Sequence, residues 1–202
     1  EKASIAKMAA DWYAKVSTLT KRLMSGIQSS GSYNDPFRDG KETTYDGHST
    51  VKMTAAAYAD ALEMPEGTEI YKWLHITPEM QQLFLKAPKG AILQNPGSMC
   101  CSVHPTNTSG FGQHRLKIRY AKGAKALNSF ASGKYSGEQE ITSIPGARFV
   151  LLSVSKTNPK GNGMDIELLM LPPTPGYVAD VSARAKLIKA ILVVSTRRMA
   201  AA

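Results

Sequence analysis

The chain has 202 residues, of which 43% are hydrophobic and 20% charged. This is the composition of a globular domain that can bury a core without disulfide staples, and it excludes a low-complexity or fibrous chain. Twenty-five Lys and Arg against sixteen Asp and Glu leave a net charge of +9, which favours an anionic partner without choosing among a dinucleotide, a nucleic acid and an acidic protein surface.

No apolar run approaches the ~20 residues that span a bilayer, and no basic-then-apolar leader opens the chain, so a soluble protein is expected. Glu1 in place of an initiating Met points to a processed chain or a piece of a longer one. The only cysteines, Cys100 and Cys101, are adjacent, which argues against a bridge between them and fits a reducing cytoplasm, that of a host cell included. With His104 they do not complete a zinc spacing, and no metal is expected.

In chain order, Ile5, Met8, Ala9, Trp12, Val16, Leu19 and Leu23 recur at helical spacing and predict one amphipathic helix over residues 3–25, ending before Gly26. A Ser, Gly and Asp-rich stretch from Ser29 to Gly47 reads as a surface loop. Ser49 is placed to cap a second helix carrying Met53, Ala57 and Tyr58.

From Ile70 to Ile76 the period changes to alternation, the mark of a strand, with Lys72 on the same face as Ile70 and Leu74. Thr77-Pro78-Glu79 starts a short helix, with Thr as cap and Pro in the first turn. A short strand and turn follow over Gly90–Gly97 and a further strand over Met99–Val103, then a loop from His104 to Gln113 containing Phe111. Arg115-Leu116-Lys117-Ile118-Arg119-Tyr120 alternates basic with apolar residues, the pattern of a half-solvated strand more often than of a nucleic-acid face.

Gly137-Glu138-Gln139-Glu140-Ile141 then reads as a strand with two carboxylates on one face, Cα atoms roughly 6.5–7 Å apart. Spacing alone suits an exposed acidic edge as well as a pair that stabilises positive charge on a substrate. Pro145-Gly146 turns the chain into the apolar run Phe149–Val154, read as the second arm of a hairpin. Asp165–Met170 is a last strand. After the prolines at 172, 173 and 175, a basic amphipathic helix or tail is expected over 177–202, outside a main domain of 1–176.

Two N-terminal helices, a strand with a basic residue, a Ser-containing strand, a Lys122-Gly123-Ala124 turn, a Glu-x-Glu and a Pro-Gly turn resemble, in that order, the ADP-ribosyltransferase exoenzyme family. The hallmarks of that family are an Arg, a Ser-Thr-Ser strand and a Glu-x-Glu. The likeness is best over residues 50–155. It implies an α/β (α+β) fold with two roughly perpendicular mixed sheets forming an NAD cleft, flanked by N-terminal helices. It further implies a mono-ADP-ribosyltransferase, in the class of toxins and viral effectors, that moves ADP-ribose from NAD to a protein side chain and releases nicotinamide.

By position in the resemblance, Glu140 is the catalytic glutamate and Glu138 the upstream one, whose identity as Glu is associated with arginine as the acceptor. Tyr135 belongs to the loop that meets the protein substrate. Lys72, Trp73, Cys100, Ser102 and Phe111 are the expected NAD-binding residues, Trp73 and Phe111 by stacking. Two positions depart from the pattern. Lys72 stands at the family's arginine and lacks the planar fork that grips phosphate. Cys100 stands at the first hydroxyl of the Ser-Thr-Ser strand, of which Ser102 alone is unchanged. The exchanges leave two alternatives beside transfer: NAD hydrolysis without an acceptor, and a non-catalytic binding module that keeps the fold. An unidentified protein is the expected partner and nucleic acid is not.

Overall fold

A computed structural model describes residues 2–29, 44–45, 48–95, 97–131 and 139–173. Most of the expected loop over 29–47, Tyr135, Glu138 and the basic segment 177–202 lie outside the described residues. The helical pattern from Ile5 to Leu23 is shared by two helices, α1 (Lys2–Tyr13) and α2 (Thr18–Ser29), where one was expected. The break has a local cause. Ser17 caps α2, its Oγ accepting from Thr20 N at 3.2 Å. The Asp60 carboxylate, from the next helix, takes bonds from Ser17 N, Ser17 Oγ and Thr20 Oγ1 at 3.0, 2.8 and 2.6 Å. Burial pushes the Asp60 carboxyl upward, but these donors outweigh it and hold it below the ordinary range.

Helix α2 continues through Gly26 because Leu23, Met24 and Ile27 are buried with Met53 and Ala57 of α3 (Thr50–Asp60). That burial exceeds the roughly 1 kcal/mol that a mid-helix glycine costs. Ser49 caps α3 as expected, accepting from Lys52 N at 3.4 Å. Trp12, Leu127 and Ile144 complete this core, so the helical layer rests on segments that flank the Glu140 strand.

The strands are β1 (Thr44–Tyr45), β2 (His48–Ser49), β3 (Leu62–Glu63), β4 (Glu69–Leu74), β5 (Ile92–Gln94), β6 (Cys100–Ser102), β7 (His114–Tyr120), β8 (Lys125–Ala126), β9 (Glu140–Thr142), β10 (Arg148–Ser155) and β11 (Asp165–Met170). Helix α4 (Pro78–Lys86) follows β4, with Thr77 Oγ1 accepting from Met80 N at 3.3 Å and Pro78 in its first turn, as the sequence predicts. Seven strands hydrogen-bond in the order β5-β10-β11-β7-β4-β6-β9, and β3–β8 and β1–β2 form two small separate pairs. The β7–β11 pair is parallel. The main core lies on the faces of this sheet and includes Ile70, Ile118, Tyr120, Phe149, Leu151, Ile166 and Leu168.

The two expected sheets take a specific form. Strands β4 and β6 meet at a single residue pair, Tyr71 with Ser102, so five strands and the β6–β9 pair are joined by one rung. The Pro145-Gly146 turn does not make the expected hairpin: β9 pairs with β6, while β10 pairs with β5 and β11. Gly146 supplies the φ of +80° that the turn needs. Chain 95–99 leads from β5 to β6 and chain 143–147 from β9 to β10, and the two stay bonded to each other. Asn95 N donates to Ala147 O at 3.0 Å, Gly146 N to Asn95 O at 2.9 Å, and Ser143 N to Met99 O at 2.9 Å. The β5/β10 and β6/β9 pairs therefore form one antiparallel ribbon that keeps its register from one end of the seven-strand order to the other.

The basic face of β7 is neutralised by its neighbours. Arg115 grips Asp165 with two bonds, of 2.8 and 2.7 Å. Lys117 lies 3.4 Å from Glu69 and 3.8 Å from Glu167, and Arg119 lies 3.2 Å from Glu69. Alternation with ion pairing across strands accounts for this stretch as a half-solvated strand.

At the far end of β4 the chain is pinched. A Cβ on Gly112 would stand 2.1 Å from the Leu74 carbonyl carbon, and one on Gly163 would stand 2.3 Å from Gln113 O. Between them His114 is 2% exposed, and its Nδ1 accepts from Met164 N at 3.0 Å. Gly112→Ala has only backbone to push against, so its Tm should fall by roughly 3–10 °C in a thermal melt; an unchanged Tm would mean that the approach is not close.

Burial, and after it the neighbouring His75, push the His114 imidazole below its ordinary 6.5. The unfolded chain then binds the proton at higher pH than the folded one, so stability rises with pH between the two values. The contribution of neutral His114 is whole above about pH 6.5 and is lost as the pH falls from there through the folded value. Urea midpoints compared at about pH 7.5 and about pH 5.5 should drop more for the wild type than for His114→Gln; equal drops would refute it.

Candidate functional site

One rung crosses three strands at the junction of the two sheets: Tyr71 of β4 opposite Ser102 of β6, and Ser102 opposite Glu140 of β9. Alternation puts Cys100 with Ser102 on one face of β6 and Thr142 with Glu140 on one face of β9, and Cys100 is the register partner of Thr142. Glu140, Ser102, Cys100 and Lys72, four of the residues expected at the site, are thus brought together. Lys72 is half-buried, and its Nζ donates to the Cys100 carbonyl at 3.1 Å.

Glu140 is 6% exposed. An ionised carboxyl so far out of water needs donors, and Oε1 takes three. Thr142 Oγ1 lies at 3.0 Å, Ser129 Oγ at 3.1 Å and Gln28 Nε2 at 3.2 Å. Ser129 Oγ is also 3.1 Å from the Glu140 carbonyl and 3.0 Å from Thr142 Oγ1, so its single proton is shared between the backbone and side-chain oxygens of Glu140. These three donors were not among the expected site residues. Thr142 is within reach of sequence reasoning, since i and i+2 of a strand share a face. Ser129 lies on a turn and Gln28 on a helix 112 residues away, where no local pattern marks them.

Strand β9 begins at Glu140, and Gln139 before it has a left-handed φ of +49°. Glu138, the other carboxylate expected on this strand, lies outside the described residues. The Gln139 carbonyl still accepts from Val103 N at 3.1 Å, so the turn is tied to the end of β6.

The cysteines are free thiols, Cys100 half-buried and Cys101 buried. Burial first, and then the adjacent Glu140 carboxylate, push the Cys100 thiol far up. Burial pushes Cys101 to about 12. Both are protonated at neutral pH, so Cys100 is a weak donor beside Glu140, with Sγ 3.7 Å from Thr142 Oγ1, and no nucleophile. Ser102 is fully buried, and its Oγ accepts from His104 N at 3.0 Å.

Two of the expected ligand-stacking aromatics differ in their placement. Trp73 is 2% exposed, with its indole N–H donated to Pro105 O at 2.8 Å and Lys160 Nζ 5.1 Å from the ring centroid. It points away from the face of Lys72, as alternation requires, and is held within the protein. Phe111, in the Ser109–Phe111 turn after β6, is 63% exposed. The close approach of Gly112 to Leu74 anchors that turn to the end of β4. Among the described residues no group of three or more His, Cys, Asp and Glu is arranged to hold a metal, and no helix is long and apolar enough to cross a membrane.

No protein-family profile and no curated protein matches the sequence. Solved structures do match. A C3-type ADP-ribosyltransferase from Clostridium botulinum superposes with a TM-score of 0.66 at 15% identity, over 83% of this chain and 94% of that one. The Clostridium limosum C3 exoenzyme gives 0.67 at 14% identity, over 85% and 95%. A C3-type protein from S. aureus, solved with NAD, gives 0.64 at 15% identity, over 85% and 96%. At these identities the likeness is one of architecture, and it extends over nearly the whole of each of those chains. The chain has the fold of the C3-like mono-ADP-ribosyltransferase exoenzymes.

Proposed function

We propose that this protein is a mono-ADP-ribosyltransferase that takes ADP-ribose from NAD to a protein side chain, arginine, and releases nicotinamide. The observation that carries the reading is the buried Glu140 carboxylate, held through Oε1 by three donors on the rung it shares with Ser102. Breaking the bond between nicotinamide and ribose leaves an oxocarbenium-like sugar. A fixed carboxylate that accepts from a ribose hydroxyl binds that sugar more tightly as positive charge grows, which is the condition for catalysis. With Oε1 taken up by the protein, Oε2 is the oxygen that meets the ribose.

The other residues take roles that follow from their chemistry. Lys72 supplies a point charge to the NAD phosphates in place of a guanidinium fork. The Cys100 thiol and the Ser102 hydroxyl brace β6 beneath Glu140, and the exposed Phe111 ring faces nicotinamide. Trp73 fixes β4 from within the protein, below Lys72. Glu138 pairs with the incoming guanidinium and takes the proton that its nitrogen loses on forming the new bond to ribose. Tyr135 contacts the protein that carries that arginine.

Labelled NAD incubated with the protein and a cell lysate should label a protein band, and Glu140→Gln should lower that transfer at least ~100-fold. Full transfer by Glu140→Gln would remove Glu140 from the reaction. Free ADP-ribose without a labelled protein would make the enzyme a glycohydrolase. Lys72→Met should raise KM for NAD with a smaller change in kcat, the mark of lost ground-state binding; an unaltered KM would take Lys72 out of the NAD site.

A further inference from the structure

We propose that Gln28, at the end of α2, is a positioning residue that fixes the orientation of the Glu140 carboxylate; this deepens, and rests on, the reading of Glu140 given above. The three donors on Oε1 are not equivalent. Thr142 belongs to β9 itself, and Ser129 follows Leu127, which exchanges two backbone bonds of 2.9 Å with Thr142. Both move with Glu140 if the β6–β9 edge shifts. Gln28 comes from the helical layer, 112 residues away, with Nε2 at 3.2 Å. It alone of the three is carried on a regular helix.

The need for such a tie follows from torsions and topology. The last torsion of a glutamate is a broad, two-fold rotor, and a third donor reaching Oε1 from another element narrows it further than the two beside β9 do. The β9 backbone is held by β6, by Leu127 and by the Gln139 carbonyl, so what remains to be fixed is the side chain of Glu140. Helix α2, in contrast, is fixed by Leu23, Met24 and Ile27 in the second core, and a donor carried on a buried helix is a rigid reference. A neutral amide facing a carboxylate makes a charge-assisted bond without adding a competing charge. Gln28 thereby selects which carboxylate oxygen the protein keeps and which one the ribose meets.

Nicotinamide release from NAD by the full chain tests this. Gln28→Met keeps the length and the apolar stem but loses the donor; kcat should fall about tenfold or more, with KM for NAD within about twofold. Gln28→Glu, which sets a second carboxylate against the first, should fall further. A Gln28→Met kcat within about twofold of wild type, or a loss carried by KM alone, overturns the positioning role and leaves the reading of Glu140 intact. A wild type that releases no nicotinamide overturns that reading, and the role of Gln28 with it. A cycle of melts needs no turnover: Gln28→Met should lower Tm by roughly 2–4 °C in the wild type and by clearly less beside Glu140→Ala. Equal shifts in the two backgrounds overturn the contact itself.

Discussion

Between the β5/β10 and β6/β9 pairs, Asn95 stays bonded to Ala147 and Gly146, and Met99 to Ser143, so the two strand pairs run on as one ribbon. Gly146 turns one arm with its positive φ, the Gln94 side chain donates to the Gly146 carbonyl at 2.9 Å, and Ser143 Oγ accepts from Met99 N at 2.9 Å. Because register survives the passage, the pairing of Phe149 with Leu93 in the core dictates the pairing of Ser102 with Glu140 at the site. A slip of one residue in β10 would turn the Glu140 carboxylate to the opposite face. The position of the carboxylate is thus set by the packing of Phe149 and Leu151, which are 3% and 1% exposed and lie at the other end of the ribbon.

The ribbon brings the carboxylate to a place that burial makes expensive. Leaving an ionised group without partners there would cost several kcal/mol, and pairing it with a buried cation would quench the charge a reaction needs. The protein uses neutral donors. Two hydroxyls and an amide stabilise the charge on one oxygen without cancelling it, as oxyanion sites do with backbone N–H groups for the opposite sign of chemistry. Lys72, the nearby cation, is held to the Cys100 carbonyl. Its charge is therefore not spent on Glu140.

What could be read from the sequence follows from range. Caps at Ser49 and Thr77, the alternation of β7 and the turn at Pro145-Gly146 depend on neighbours within a few residues and are realised. The single long helix fails at Ser17 because the decisive partner, Asp60, is 43 residues away. The hairpin fails because a strand, a turn and a strand do not say whether the arms pair with each other; here each has a better partner across the ribbon. At the site, residue types and order point to Glu140, Cys100 and Ser102, since chemistry is carried by side-chain identity. Gln28 and Ser129 escape, since an amide and a hydroxyl are common everywhere and only the fold brings them to Oε1.

The two departures from the family pattern meet in space, and that alters their meaning. Lys72 donates to the backbone of the residue whose side chain is the unexpected thiol. Cys100 then sits between a cation that favours its thiolate and a carboxylate that opposes it, and burial, with the carboxylate, outweighs the cation and keeps the thiol protonated. A protonated thiol beside Glu140 donates, as a serine hydroxyl would, only more weakly. The exchange therefore changes the strength of one brace and leaves its direction intact. The carboxylate has other donors on Oε1 to absorb that loss. On the cation side, a lysine reaching the Cys100 carbonyl has one ammonium to share between strand and ligand, where a guanidinium has a fork. Under the proposed function, the demand on NAD binding falls on Lys72 for that reason.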